Sequence, residues 1–266
     1  RNWLLHHAIT AEQVTIDPTL PSAQSFILPC ANNDRIIFTY RGALQELRLT
    51  TIPQQTTGVY CTAIGHNAAA QLPNLLQQAR QSGCQVAMNP GIHQLQTVGT
   101  SLRNALAVTD IFILNAEESA IFAQQLPLEL QPSSNGGGQL FRRLITKNGV
   151  AYCVRSYMHA VRALGPRIVI VTNGSEGVYV ATNTAFYFHP SLPAAIVNTI
   201  GAGDAFGSAF CATLWQGKSI PKAIQVGLLN SKFVIETEDA NSGIKPFLQL
   251  YAAAEELPNQ LITIAY

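Results

Sequence analysis

The chain has 266 residues, of which 47% are hydrophobic and 12% are charged, and its formal net charge at pH 7 is +1. That length is ample for a buried core, and the composition excludes disorder, because disordered chains combine many charges with few apolar residues. The small net charge excludes a strong field for nucleic acid or an acidic membrane surface. We therefore expect no nucleic-acid partner.

The low charge raises the question of a membrane span, and residues 194–215 are the most apolar long stretch. Asn198 and Asp204 lie in its middle, and glycine, alanine, serine and threonine dilute its apolarity, so we expect no membrane association. The cysteines are scattered and form no CxxC pair, which favours a reduced, cytoplasmic protein without a disulfide framework or a thiolate metal site. They are Cys30, Cys61, Cys84, Cys153 and Cys211.

The first elements along the chain are short antiparallel strands. Two apolar-alternating runs, residues 25–28 and 35–40, flank the segment ANND, which suits a hairpin turn. From Thr57 the pattern changes: GVYCTAIG, QVAMN and IFIL predict buried strands, and residues 72–82 predict a helix closed by Gly83. Strands that alternate with helices indicate βαβ units and a parallel sheet.

Residues 127–138 are rich in glycine and proline and predict a surface loop. After this loop, RIVIVTN predicts a strand, GSEG a tight turn, VYVAT the hairpin partner and AFYFH a third strand. A glycine cluster then precedes a helix that runs through Trp215 and ends at Gly217, and helical patterns continue from Ile220.

The glycine cluster is the part of the sequence that points most directly to a reaction. In Gly201, Ala202 and Gly203 the small side chains let backbone N–H groups approach a ligand, and the following helix directs its positive N-terminal end at the same place. That combination predicts an anion hole. Asp204, in the first helical turn, adds a carboxylate beside the anion, an arrangement that suits a phosphoryl group about to be attacked by a hydroxyl.

Three other interpretations of this string compete. A dinucleotide-binding loop requires GxGxxG, but the third glycine, Gly207, comes one position late, and no acid follows before Glu236. A Walker loop requires a lysine after the glycines, and none is present. The third alternative, a small-residue helix that packs closely on a neighbour with Asp204 as its N-cap, stays open from these residues alone.

NTIGAGDAFGSAF resembles the D-T-x-G-A-G-D signature of the ribokinase-like (PfkB) carbohydrate kinases, with Asn198 in place of the first aspartate. NAEE (residues 115–118) is similar to the family's N-x-x-E motif, TNGSEG (172–177) to its T-x-G-x-x-G nucleotide loop, and MNP (88–90) to the end of one of its strands. The segment PSAQSFILPCANNDRIIFTYRGA resembles its lid strands.

The resemblance implies a three-layer α/β/α sandwich with a mainly parallel central sheet and a small β lid. Residues 1–56 would then be a partial lid region, and residues 57–266 the α/β nucleotide-binding and catalytic core. The resemblance also implies an N-terminal portion with the first strands of the sheet, so we expect further residues before Arg1, because a parallel sheet without those strands exposes unpaired edges.

By resemblance, Asp204 is the catalytic base, and Gly201, Ala202 and Gly203 form the anion hole. Glu118, with Asn115, would support magnesium (Mg²⁺) through water, because Mg²⁺ prefers oxygen ligands and keeps much of its hydration shell. A helix cap is the alternative for this pair.

The same resemblance assigns a set of residues to ATP: Thr172, Gly174 and Gly177 would line its phosphates and ribose, and Asn230 would face adenine. An ordinary hairpin turn at 172–177 and a helix-surface role for Asn230 are the alternatives. Because Asn198 supplies an amide where members activated by potassium (K⁺) have a carboxylate, the resemblance leaves K⁺ dependence undecided.

The sequence therefore predicts a cytoplasmic, ATP-dependent kinase that phosphorylates a hydroxyl of a sugar or nucleoside, with a lid that excludes water. The lid sheet is also a possible homodimer surface by resemblance. A non-catalytic relative that binds nucleotide or sugar is the alternative, and a nicotinamide-dependent oxidoreductase is a more distant one.

Overall fold

The structure is a computed structural model that describes residues 2–7, 9–12, 14–29, 35–46, 51–96, 100–125, 144–147 and 150–265. The predicted turn ANND and the predicted loop at 127–138 lie outside these residues. The chain divides into two compact units. One comprises Arg1–Arg48 and Gly65–Ala68, and the other comprises Leu49–Ile64 and Ala69–Tyr266.

The first unit contains the predicted hairpin. Its elements are α1 (Asn2–His6), β1 (Gln24–Pro29), β2 (Arg35–Tyr40) and a 3-10 helix (Gly42–Glu46). The two strands are antiparallel, with Phe26 opposite Phe38. After β2, Gly42 has a φ of +46°, and a Cβ there would lie 2.2 Å from the carbonyl oxygen of Pro21, so this bend requires glycine.

The second unit is built on a seven-stranded sheet. Its strands, in chain order, are β3 (Gly58–Cys61), β4 (Gln85–Met88), β5 (Ile111–Asn115), β8 (Ile168–Thr172), β9 (Val178–Ala181), β10 (Ala185–His189) and β11 (Ile262–Ala265). In space the order is β11-β10-β9-β8-β5-β4-β3. The neighbours β3, β4, β5 and β8 are parallel, whereas β9, β10 and β11 pair antiparallel. A separate hairpin joins β6 (Leu144–Lys147) to β7 (Val150–Cys153).

Helices cover both faces of the sheet. Those of the second unit are α3 (Leu72–Gln81), α4 (Ile92–Gln96), α5 (Thr100–Ala107), α6 (Ala116–Gln125), α7 (Val154–Arg162), α8 (Ala202–Trp215), α9 (Ile220–Ile235) and α10 (Phe247–Ala253). A short α2 (His66–Ala69) precedes α3. Among the residues that the structure describes, no helix combines the length and the apolarity needed to cross a membrane.

Strand β5 shows why the sheet is sandwiched. Phe112 and Leu114 belong to one buried cluster, which includes residues of α3, α5, α6 and α7, whereas Ile111 and Ile113 belong to another, which includes residues of α8 and α9. Successive side chains of a strand point to opposite faces, so a strand buried on both faces is a continuous apolar run. The predicted three-layer α/β/α architecture is confirmed.

Candidate active site

The candidate site lies at the carboxyl ends of the parallel strands, where open α/β sheets bind ligands. Asn115 ends β5 and Thr172 ends β8, and the two residues are direct register partners across the sheet. The structure therefore brings together two predicted site residues that are far apart in the sequence.

Asn115 and Glu118 form a reciprocal cap at the start of α6. The Glu118 N–H donates to Asn115 Oδ1 at 2.8 Å, and the Asn115 N–H donates to Glu118 Oε2 at 2.8 Å. This is a capping box, so the helix-cap alternative describes part of what this pair does. The other carboxylate oxygen of Glu118 has no hydrogen bond to the described part of the chain and is free to bind a ligand.

The carboxylate of Asp204 lies close enough to that of Glu118 to affect its pKa. Burial raises the pKa of Glu118, the Asn115 N–H opposes this rise, and the nearby charges of Glu117 and Asp204 add to it. Neighbouring anionic oxygens that are short of protein partners are a donor set that suits a hard dication such as Mg²⁺. Within the described ranges, no cluster of three or more His, Cys, Asp or Glu side chains could hold a metal ion.

The predicted anion hole lies at the first turn of α8. Gly201 precedes the helix with a φ of +83°, and a Cβ there would lie 2.7 Å from the Cβ of Ala240, so only glycine fits. The N–H of Ala202 makes one long bond, 3.4 Å, to Thr199 O. The N–H groups of Gly203 and Asp204 have no acceptor among the described residues, as expected for the first turn of a helix.

The Asp204 carboxylate contrasts with that of Asp110. Asp110 is 3% exposed and fully paired: its Oδ1 contacts Arg80 and lies 2.8 Å from Arg167 Nη2, and its Oδ2 accepts the Val86 N–H at 2.9 Å. Asp204 is exposed and has neither a hydrogen bond nor an ion pair within the described part of the chain. Surrounding atoms still remove part of its hydration, which raises its pKa.

The predicted nucleotide loop folds as a tight connection between β8 and β9, with a short 3-10 helix at Gly174–Glu176. Its two glycines serve different purposes. A Cβ at Gly177, where φ is +115°, would lie 2.1 Å from His189 O, so this glycine is needed for packing. Gly174 has a φ of +52° with no atom within 4 Å of a Cβ built there, so its backbone is open to a ligand.

Two further predicted residues make contacts within the protein. Asn230 is 4% exposed between α8 and α9, and its Nδ2 donates to Ala205 O at 2.9 Å. A contact of Asn230 with adenine stays a prediction. Asn198 accepts the Ile200 N–H at 2.9 Å and donates from Nδ2 to Glu238 O at 2.8 Å, so both ends of its amide are engaged.

Tyr60 belongs to no sequence motif, yet the structure places it beside α8 at this site. Tyr60 lies on β3, and its hydroxyl oxygen is 2.3 Å from the position of a Cβ at Gly207. The only signal was one aromatic residue with a polar group in a run predicted to be a buried strand. Gly207, the late third glycine of the cluster, is thus explained by packing.

The sequence matches a family profile over most of its length. The profile of the pfkB family carbohydrate kinases matches residues 1–246. This chain belongs to the pfkB family. The predicted family membership is confirmed.

Curated relatives match the pfkB family chain over short segments. The 5-dehydro-2-deoxygluconokinase of Geobacillus thermodenitrificans is 33% identical over 100 residues, covering 35% of this chain and 30% of the relative. The ribokinase of Lactococcus lactis is 34% identical over 89 residues, covering 34% of this chain and 30% of the relative. The matched segment is thus under a third of each relative's length.

Solved structures share the fold over nearly the whole pfkB family chain. The nucleoside kinase of Burkholderia thailandensis in complex with inosine superposes with a TM-score of 0.75 at 15% identity, covering 96% of this chain and 76% of that one. The ribokinase of Thermotoga maritima gives a TM-score of 0.71 at 18% identity, covering 96% and 77%. The ribokinase-like fold is therefore confirmed.

Proposed function

We propose that this chain is an ATP-dependent kinase that transfers the γ-phosphoryl group to a hydroxyl of a sugar or nucleoside. The observation that carries the proposal is Asp204: its carboxylate has no partner among the described residues, and it stands at the start of α8 beside the N–H groups of Gly203 and Asp204, which have no acceptor there. A base next to an anion hole is what in-line phosphoryl transfer to an alcohol requires.

In the proposed reaction, the Asp204 carboxylate accepts the proton of the acceptor hydroxyl. The acceptor oxygen forms a bond to the γ-phosphorus, the bond from that phosphorus to the β–γ bridging oxygen breaks, and ADP leaves with the bond's electron pair. The N–H groups of Gly203 and Asp204, which the described residues leave unpaired, would stabilise the charge on the transferring group, and Gly201 and Ala202, the other residues of the predicted anion hole, would form the turn that presents them.

Glu118 would hold Mg²⁺ through water, with its orientation fixed by the cap to Asn115. When bound, Mg²⁺ neutralises charge on the β- and γ-phosphates. Thr172 and Gly174 would contact the phosphates or ribose, supported by the register pairing of Thr172 with Asn115 and by the open backbone at Gly174. Gly177 would shape this loop, and Asn230 would act at the adenine side.

The names of the relatives narrow the range of candidate acceptors. The segments that are 33% and 34% identical belong to proteins named as a deoxygluconokinase and a ribokinase, so a sugar is the first candidate. A nucleoside is the second, because the fold is shared with a nucleoside kinase in complex with inosine. Cys61, Cys84 and Cys211 are thiols without a disulfide, which accords with the proposed cytoplasmic location.

The side chain of Asn198 argues against direct ligation of K⁺. A carboxylate brings a full negative charge to the ion, whereas Asn198 Oδ1 carries none, and one of its two lone pairs already accepts the Ile200 N–H. We therefore propose that turnover depends little on K⁺, and a comparison of rates in potassium and in tetramethylammonium buffers measures this.

The test is ATP consumption with ribose, fructose, ketodeoxygluconate, adenosine and inosine as acceptors, for wild type beside Asp204→Asn. We expect turnover with at least one acceptor and a loss of about 10²- to 10⁴-fold in Asp204→Asn, the usual contribution of a general base. If both proteins bind ATP and neither turns over, the non-catalytic alternative is correct.

A further inference from the structure

Tyr60 projects from the edge of the sheet toward α8. Its neighbours on β3, Val59 and Cys61, pack against the cluster that contains α3 and α6, whereas Tyr60 packs against the cluster that contains Phe206 and Phe210 of α8. The alternation of side chains along a strand therefore places the phenol ring under the helix that carries the proposed base.

The phenol lies along one stripe of α8. Asp204, Gly207 and Cys211 are spaced i, i+3 and i+7 and so share one helix face. A Cβ at Gly207 would lie 2.3 Å from the Tyr60 hydroxyl oxygen and 3.1 Å from Tyr60 Cζ. The missing side chain at Gly207 therefore creates the space that the hydroxyl occupies, one turn after Asp204.

The Tyr60 hydroxyl is buried and has no hydrogen-bond partner within the described part of the chain. Burial raises the pKa of Tyr60, and the nearby charges of Cys211, Asp204 and Glu118 raise it further. The phenol therefore keeps its proton at working pH and can only serve these carboxylates as a donor. A buried donor without an acceptor is rare and needs an explanation.

The two groups complement each other. Tyr60 has a hydrogen to donate and no acceptor, and the Asp204 carboxylate accepts no hydrogen bond from the described residues. Hydrogen bonds of catalytic groups are often open in ligand-free structures and close when the site is loaded. Retaining an unpaired hydroxyl lowers stability, and proteins keep such groups where function needs them.

We propose that Tyr60 is a positioning residue for the base: in the loaded site its hydroxyl donates a hydrogen bond to the Asp204 carboxylate and holds it toward the acceptor hydroxyl. This inference rests on the proposed function. It gives β3 a role in orienting the base on α8, and Tyr60 lies outside the motifs that carry the family resemblance.

Tyr60→Phe tests the proposal, because it removes the hydroxyl and leaves the ring in place over Gly207. Tyr187→Phe is the matched control: Tyr187 packs against the same cluster from β10 and takes no part in the site. With the best acceptor, we expect kcat of Tyr60→Phe to fall about tenfold or more, as for a lost hydrogen bond to a charged group, with KM for ATP nearly unchanged. Tyr187→Phe keeps the wild-type kcat.

Thermal stability separates positioning from packing. A hydroxyl without a protein partner costs stability, so Tyr60→Phe should melt at the same temperature as wild type or higher. A lower Tm together with unchanged kcat would show that the hydroxyl has a structural partner, and the proposal would be wrong. Unchanged kcat at unchanged Tm would overturn it equally.

A double mutant shows through which carboxylate Tyr60 acts. If it acts through Asp204, Tyr60→Phe has almost no further effect on the residual kcat of Asp204→Asn, because effects of coupled residues do not add. A full further loss in that background would refute the link to Asp204. Wild type without turnover on any acceptor refutes the proposed kinase itself, an outcome distinct from an active wild type with an equally active Tyr60→Phe.

Discussion

Asp204 and Asp110 are the same type of residue in opposite surroundings. The surroundings of Asp110 suit a structural role, and those of Asp204 suit a functional one. Two arginines and a backbone N–H compensate the charge of Asp110, which joins β4, β5 and β8 at their amino ends. Asp204 has no such compensation in the described structure, and its raised pKa reflects lost hydration. An ionisable group kept in an unfavourable environment is typical of a functional position.

The raised pKa of Asp204 predicts the acid limb of the reaction. The base must be ionised, so kcat/KM should fall about tenfold per pH unit below the pKa of Asp204, which lies above the ordinary 3.8. A pH–rate profile in buffers of constant ionic strength measures this limb. A limb at or below the ordinary value would contradict the assignment of Asp204 as the base.

The raised pKa of Asp204 also determines how this residue changes stability with pH. A carboxyl whose pKa is raised by folding binds its proton more tightly in the native state, so its contribution to stability is lost as pH rises through that pKa. Asp204→Asn should therefore melt at or above the wild-type temperature at pH 7 while losing activity. Glu118 has a raised pKa as well, so the pH dependence of the wild-type melting temperature does not by itself isolate Asp204. The difference in melting temperature between wild type and Asp204→Asn at each pH does.

At the level of elements, the start of α6 carries a helix cap, and we propose that it also supports Mg²⁺. One oxygen of Glu118 caps the helix through the Asn115 N–H, and the other accepts no hydrogen bond from the residues that the structure describes. Glu118→Gln keeps an oxygen that accepts the Asn115 N–H and loses the charge, whereas Glu118→Ala loses both. The two variants therefore separate the cap from the proposed support of Mg²⁺.

We expect Glu118→Gln to melt near the wild-type temperature and to need more Mg²⁺ for half-maximal activity, because the anionic oxygen is gone. Glu118→Ala should in addition lose about 0.5–1.5 kcal/mol of stability, the usual net contribution of one hydrogen bond. Glu117→Gln, which removes the adjacent exposed charge, is the control. An identical Mg²⁺ titration for wild type and Glu118→Gln would reduce Glu118 to a helix cap.

The elements themselves were largely predictable, because their signals are local. Apolar runs of three or four residues predicted β4, β5 and β8, and Gly83 and Gly217 correctly marked the ends of α3 and α8. Strand β11 was missed: its four residues follow a helical pattern and are fixed as a strand by pairing with β10, more than 70 positions earlier in the sequence. Tertiary pairing of this kind leaves no local pattern.

The site was predictable to the extent that a motif carried it. Gly201, Asp204, Asn115 and Thr172 each lie in a motif, and the topology brings Asn115 and Thr172 into register. The reason for each glycine was not predictable, because it depends on contacts between distant segments. Gly177 packs against His189, and Gly207 leaves space for the hydroxyl of Tyr60.

At the scale of the whole molecule, the first unit exposes an apolar sheet face that a monomer would leave in water. Side chains directly opposite each other across β1 and β2 share one side, and all of those on this face except Gln24 are large, apolar and exposed. The lid face, as we call it, consists of Phe26 (68% exposed), Leu28 (42%), Ile36 (51%), Phe38 (57%) and Tyr40 (51%). Contiguous exposed apolar patches mark interaction surfaces.

We propose that the lid face pairs with the same face of a second copy, since a twofold contact is self-complementary and the net charge of +1 opposes it little. Sedimentation equilibrium should then give twice 28.7 kDa for wild type and 28.7 kDa for the double variant Phe26→Thr, Phe38→Thr, which keeps β-propensity and removes the aromatic area. Leu248→Gln, at an 80% exposed apolar position of α10, is the control and stays dimeric. A wild type that remains at 28.7 kDa at micromolar concentration, or a double variant that still dimerises, would show that this face has another use.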